Sequence, residues 1–265
     1  MVGIASACSR TLAAREKLIV ALDVASVKEA RDIVEELEDS VSFYKIGLHL
    51  QLDPELPDLF VRLVQKQKRI FLDFKFIDIP ATVEGAVKAA ARLRIKFITV
   101  MGQRHIVEAA VKGRGSSDLK ILAVTLLTGM TEADMKREYN TELSLENFIK
   151  KRAEAASEMG CDGVISSPNE VRLIRSVIRR ENFLVVTPGI RQIGAELDDQ
   201  KRTATPGDAI LNGADYLVVG RPIVHQEKKR DAAERIVDEM AEALEGLTSG
   251  VAASTHRSLL RVSSA

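Results

Sequence analysis

RIFLDFKFIDIPATV, residues 69–83, holds one strand-to-helix transition, and its reading governs the rest of the chain. RIFLDFK (69–75) is a short apolar and β-branched or aromatic run of the kind that forms a strand. Pro80 follows at the position proline favours, the first turn of a helix. Within this apolar stretch stand Asp73 and Lys75, and Asp78 comes three residues later. Burying an unpaired charge is very costly, so a core strand should not carry them. Either the charges pair at a surface, or they stand at a strand end and do chemistry.

Working outward, the same kind of run recurs as KLIVALD (17–23), SFYKIG (42–47), KFITVMG (96–102), KILAVTLL (120–127), CDGVIS (161–166), NFLVVTP (182–188) and DYLVVG (215–220). With 69–75 that makes eight candidate strands. Continuous apolar runs fit parallel strands covered on both faces. Amphipathic segments separate them. SVKEARDIVEELED (26–39) places Ala30, Ile33, Val34 and Leu37 on one helical face, and LENFIKKRAEAASEMG (145–160) ends on a glycine stop. Pro168, Pro206 and Pro222 open further helices, and ERIVDEMAEALEGL (234–247) is the last. Eight strands alternating with eight helices over about 230 residues predict an α/β fold, a single-domain (β/α)8 or TIM barrel spanning 17–247. A doubly wound sheet is the alternative, but no GxGxxG turn follows the first strand.

The bulk composition agrees. Hydrophobic residues make up 46% and charged residues 29%, the balance of a globular chain with a full core. The 38 basic and 38 acidic side chains cancel, which argues against a nucleic-acid partner, whose phosphates demand net cations. Cys8 and Cys161, the only cysteines, have no metal-site spacing, so reduced thiols and a cytoplasmic location are expected. No window approaches the ~20 apolar residues needed to cross a bilayer, so no membrane partner is expected. Residues 1–16 read as a loose extension rather than a signal peptide, and 248–265 as a patternless, flexible tail.

In such a barrel the active site lies at the C-terminal strand ends. The charged residues there are few: Asp23 after strand one, Lys45 within strand two, Asp73 and Lys75 ending strand three, with Asp78 in the next loop. Asp73 and Lys75, two apart, share a strand face. Any one of them could be a salt bridge at the barrel mouth. Their convergence from three consecutive strands favours a functional array, since buried charge networks are poor devices for stability. VTPGIRQIG (186–194) and VVGRPI (218–223) close strands seven and eight, where many barrels hold a phosphate. Arg221 would add a bidentate cation to backbone N–H groups there. An ordinary loop with a solvated arginine is the other reading of that stretch alone.

From Leu18 to Val224 the chain resembles the orotidine 5′-monophosphate decarboxylase family. The motif Asp-x-Lys-x-x-Asp-Ile-Pro-x-Thr is met by Asp73, Lys75, Asp78, Ile79, Pro80 and Thr82. TPGIR (187–191), DDQ (198–200) and VVGRPI follow in the same order. The resemblance implies decarboxylation of orotidine 5′-monophosphate to UMP without metal or cofactor. Lys75 would give the proton to C6 of the pyrimidine, with Asp73 beside the substrate carboxylate and Lys45 completing the charged row. Asp23 would hold ribose hydroxyls. Gln200 and Arg221 would hold the phosphate, with loop 189–203 closing over it, and Pro188 and Gly220 would also bind the substrate. Asp78 and Thr82 would reach the substrate, as would Ile79 beside them, and Asp78 and Thr82 would do so from a partner subunit, which implies a homodimer.

A sister family shares the barrel and the Asp-x-Lys-x-x-Asp strand but uses Mg2+ on a sugar phosphate, with an acidic metal ligand on strand two. Here that strand offers Lys45 instead, a cation that disfavours a divalent ion nearby. A nucleotide-binding barrel without catalysis is a further reading, opposed by the intact charged row. Two positions depart from the decarboxylase pattern. A serine common after strand five is absent, leaving Thr128, Gly129 or Thr131 to meet the base. Met101 stands where many relatives close strand four with histidine. His49 reads as a structural loop residue, Asn169 and Glu170 as helix capping, and 227–230 as a solvated helix face.

Overall fold

A computed structural model describes residues 2–191 and 202–262, with side chains described for 10–191 and 202–247. Eight strands form: β1 Leu18–Ala21, β2 Phe43–Gly47, β3 Arg69–Phe76, β4 Phe97–Met101, β5 Lys120–Val124, β6 Gly163–Ile165, β7 Leu184–Thr187 and β8 Tyr216–Val219. Each pairs in parallel with its neighbours in sequence order, and β1 closes on β8 through Leu18–Leu217 and Val20–Val219. The fold is therefore a closed eight-stranded (β/α)8 barrel, with every strand inside one of the eight apolar runs except β3, which extends one residue further to Phe76.

The helices are α1 Val2–Lys17, α2 Val27–Leu37, α3 Leu56–Gln65, α4 Pro80–Ala90, α5 Arg104–Arg114 and α6 Glu132–Tyr139. After these come α7 Leu145–Glu158, α8 Val171–Val177, α9 Pro206–Leu211, α10 Arg221–Val224 and α11 Lys229–Val262. Helix α2 shows how sequence dictates them. Ser26 caps it by accepting from the Glu29 N–H, and Ala30, Ile33, Val34 and Leu37 are its buried face. Among the described residues no helix is long and apolar enough to cross a membrane.

The strands divide the core in two. Leu18, Val20, Tyr44, Ile46, Ile70 and Leu72 face outward into the layer beneath the helices. Ile19, Ala21, Phe43, Phe71, Phe97, Val186 and Val218 alternate with them and fill the lumen. Near the N-terminal strand ends the lumen is an aromatic plug, with Phe97 packed 5.0 Å from both Phe43 and Tyr216. Two residues further along β2, β3 and β4, the inward positions become Lys45, Asp73 and Thr99. The pleat thus sets polar groups on an apolar floor.

The two termini differ from expectation. The segment read as a loose extension is α1, rich in strong helix formers. Its Ala14 is fully buried, Arg15 pairs with Glu234 at 2.7 Å, and the Glu16 carboxylate meets Arg69 at 2.7 Å. It closes the barrel end opposite the cavity. The segment read as a patternless tail continues α11 as helical backbone through Val262.

Candidate active site

A cavity of about 400 Å3 opens at the C-terminal strand ends, within the usual range for a small-molecule site. Its polar wall is built by β1, β2 and β3. The Lys45 ammonium lies 2.8 and 2.9 Å from the two Asp23 carboxylate oxygens and 3.3 Å from Asp73. The Lys75 ammonium lies 3.0 Å from the other Asp73 oxygen. Asp23, Lys45, Asp73 and Lys75 therefore form one line of alternating charge. Gly47 makes room for it: a Cβ there would come within 2.5 Å of the Asp23 carboxylate.

The electrostatics follow from that alternation. Burial pulls the Lys45 ammonium toward neutrality, but Asp73 and Asp23 outweigh it and hold its pKa above the ordinary lysine value. Burial likewise disfavours ionised Asp73. Lys45, Lys75 and a hydrogen bond from Thr99 reverse that and hold its pKa below the usual carboxylate range. The charged forms are thus the stable ones at neutral pH.

The opposite wall is apolar and backbone-rich. Leu126, Leu127, Thr128 and Gly129 after β5 line it, with Ile165 from β6 and Pro188, Gly189 and Arg191 after β7. Gly220 and Arg221 after β8 complete it, and Gly220 precedes the short helix that Arg221 opens. The charged row thus shares one cavity with Pro188, Gly220 and Arg221 from the loops expected at a phosphate.

Other expected residues lie elsewhere. Asp78, Ile79 and Thr82 are exposed and do not line the cavity, and the Asp78 carboxylate accepts from the Ile79 N–H at 2.6 Å. Ile77 and Ile79 beside them are 59% and 67% exposed, an apolar patch next to the mouth. Thr131 caps α6 in a reciprocal capping box with Asp134, which occupies its hydroxyl. Gln200, and positions 192–201 of the loop expected to close, lie outside the described residues. Met101 packs against the apolar lumen.

Several cavity or supporting residues escaped the reading of the sequence. Arg191 is buried in the cavity wall, and its place in the TPGIR motif was the available signal. His49, read as a structural loop residue near the barrel mouth, lines the cavity 3.9 Å from Asp23. Thr99 is fully buried and donates to Asp73 at 2.8 Å. Glu170 is no mere helix cap. It is buried, pairs with Arg202 at 2.6 Å and accepts from Ser166, while Ser167 caps the turn. Arg202 also donates to the Leu127 and Thr128 carbonyls, bracing the cavity wall. Burial pushes the Glu170 carboxyl above its ordinary pKa, with Arg202 pulling against it.

Residues 16–236 match the orotidine 5′-phosphate decarboxylase / HUMPS family. The chain belongs to that family. It is 49% identical over 232 residues to an orotidine 5′-phosphate decarboxylase of Nitrobacter winogradskyi, covering 87% of this chain and 95% of that one. A protein of the same name from Jannaschia sp. is 46% identical over 226 residues, covering 85% and 98%. Among solved structures, the orotidine 5′-phosphate decarboxylase of Lactobacillus acidophilus superposes with a TM-score of 0.73 at 35% identity, covering 84% of this chain and 98% of that one. The enzyme of that name from Pyrococcus horikoshii superposes at 0.66 with 26% identity, covering 84% and 98%.

Proposed function

We propose that the chain is an orotidine-5′-phosphate decarboxylase, a carboxy-lyase that converts orotidine 5′-monophosphate to UMP and CO2, and that it works without a metal. The observation that carries this reading is the unbroken line Asp23–Lys45–Asp73–Lys75 in the same cavity as Arg221. The bond from C6 to the carboxylate breaks, CO2 leaves, and the electron pair stays on C6. The ring offers that pair no electron sink, so a fixed ammonium beside C6 is what lowers the barrier. Lys75 supplies that ammonium, transfers its proton to C6 and regains one from water.

Asp73 faces the departing carboxylate and, with Lys45, orients Lys75. Asp23 takes ribose hydroxyls, while backbone groups at Thr128 and Gly129 meet the base; Thr131, engaged as a cap, leaves that task to them. Pro188, Gln200, Gly220 and Arg221 take the phosphate, whose binding energy is spent on the reacting centre. Asp78, Ile79 and Thr82 serve a neighbouring subunit in a homodimer, a reading supported by their exposure beside Ile77. The free, buried thiol of Cys161 supports a cytoplasmic setting.

The metal-free reading is supported by Lys45. Its ammonium stands between Asp23 and Asp73, the two carboxylates a divalent ion would need, and would repel one. The test follows the ultraviolet loss of orotidine 5′-monophosphate by the purified protein, with and without EDTA. Turnover should survive EDTA and collapse by several orders of magnitude in Lys75→Ala. No turnover by folded protein, or turnover abolished by EDTA, overturns the reading.

A further inference from the structure

Lys75 sits in a backbone conformation that its side chain does not favour. Its φ is 49°, in the left-handed region where a Cβ is strained. Beside it the β3–β4 ladder breaks. Phe71 pairs with Phe97 and Leu72 with Ile98, and pairing resumes only at Phe76 with Val100. Asp73, Phe74 and Lys75 thus stand opposite Thr99 alone, a bulge with two extra residues on the β3 side. A bulge re-aims side chains, and strain of this kind persists only where the surroundings fix it.

What fixes it here is one hydroxyl. Thr99 Oγ1 accepts from the Lys75 N–H at 2.9 Å, replacing the lost ladder partner. The same oxygen donates its hydrogen to Asp73 Oδ1 at 2.8 Å, the carboxylate oxygen that also meets the Lys75 ammonium at 3.0 Å. Thr99 is fully buried, so its hydroxyl has a single setting, with one bond accepted and one donated. Backbone, carboxylate and ammonium are therefore tied to a common point.

We propose that Thr99 is a positioning residue for the decarboxylation, its hydroxyl holding the Lys75 backbone in the bulge and the Asp73 carboxylate in register so that the ammonium meets the reacting carbon. The inference rests on Lys75 acting as the proton donor. It concerns orientation of the reacting groups, not substrate binding, which falls to Asp23 and the other wall of the cavity. Misplacing a reacting group by about 1 Å can cost 10²-fold in rate.

The test compares Thr99→Val, Thr99→Ala and Thr99→Ser. Valine keeps the shape and deletes the hydroxyl. Alanine and serine share the loss of the methyl and differ in the hydroxyl, so they isolate it if valine fails to fold. The expected result is a loss in kcat of about 10²-fold for Thr99→Val and Thr99→Ala, with serine restoring kcat to within about fivefold of wild type. The dissociation constant for UMP, measured by calorimetry, should stay within about threefold in all three, because uniform binding is untouched. Equal kcat for alanine and serine overturns the proposal, as does a matched loss of UMP affinity and kcat. Failure of the underlying reading looks different: wild-type protein without turnover, or Lys75→Ala with wild-type turnover.

Discussion

Replacing Lys45 by methionine should destabilise the protein and tie that loss to pH. The ammonium lies 3.3 Å from Asp73, whose side chain is only 13% exposed. At an effective dielectric constant near 20, that contact is worth about 5 kcal/mol. Asp23, at 2.8 Å but 38% exposed, contributes less because water screens it. Removing the ammonium also removes its own desolvation cost of several kcal/mol. The net expectation is a loss of about 3 kcal/mol at pH 7, chiefly from two carboxylates left facing one another. The sign of the pH dependence then follows. In the wild type the Asp73 pKa is held low, so its contribution is full at neutral pH and is lost only as pH falls through that lowered value. In Lys45→Met the strongest counter-charge is gone while burial remains, so the Asp73 pKa rises and the strain relaxes as Asp73 takes a proton. The gap between wild type and variant should therefore narrow as pH falls from 7 through the raised Asp73 pKa of the variant. Urea unfolding followed by circular dichroism at pH 7, 6 and 5 measures this, with unchanged slopes as the control. A gap that stays constant with pH, or one below about 1 kcal/mol at pH 7, would refute the reasoning.

Three further outcomes are expected. Lys75→Ala and Asp78→Ala should each be inactive, yet mixing and reassociating them should recover up to about a quarter of wild-type activity, because half the dimers then hold one intact site; no recovery sinks the shared site. Glu170→Ala strands the Arg202 guanidinium in a buried setting and should cost about 3–5 kcal/mol in urea unfolding, with Glu170→Gln milder because it keeps an acceptor. Equal, near-zero effects would show that the pair is not a brace. Cys161 is buried and its thiol pushed up to about 11, so in a Cys8→Ser background it should react with a disulfide reagent only as fast as the protein unfolds. Rapid labelling of native protein would contradict that burial.

The barrel was legible because its strands are unusual in sequence. A strand covered on both faces reads as a mostly apolar run, and the eight segments do. Asp73 and Lys45 were legible for the complementary reason, as charges inside such runs. Thr99 was not, since a β-branched residue in a strand needs no other explanation and a hydropathy pattern cannot show a hydroxyl's partners. The bulge was invisible too: no glycine marks it, and Lys75 takes positive φ only because tertiary contacts fix it. Glu170 misled by sitting where capping is common, while its partner Arg202 lies 32 residues away. Asp78 and Thr82 belong to the same motif as Lys75 yet stand outside the cavity, because a linear motif does not fix where each of its side chains lies in the fold.

The placement of these groups has a common logic. Phe43, Phe71 and Phe97 lie two residues before Lys45, Asp73 and Thr99, so each strand supplies one layer of floor and one layer of chemistry. The aromatic plug lies beneath the buried Lys45 and Asp73, and in that setting their ionic contact is stronger than at a surface. The same burial makes an unmatched charge intolerable, which is why the row alternates in sign and why Gly47 must leave Asp23 room to reach Lys45. A regular β3 would leave Lys75 bound only by the ladder that carries Leu72. The bulge frees it from that register, and Thr99 fixes it again at the one height where its ammonium meets Asp73. The strained residue and the residue proposed to move the proton are the same residue, as expected where local strain serves orientation.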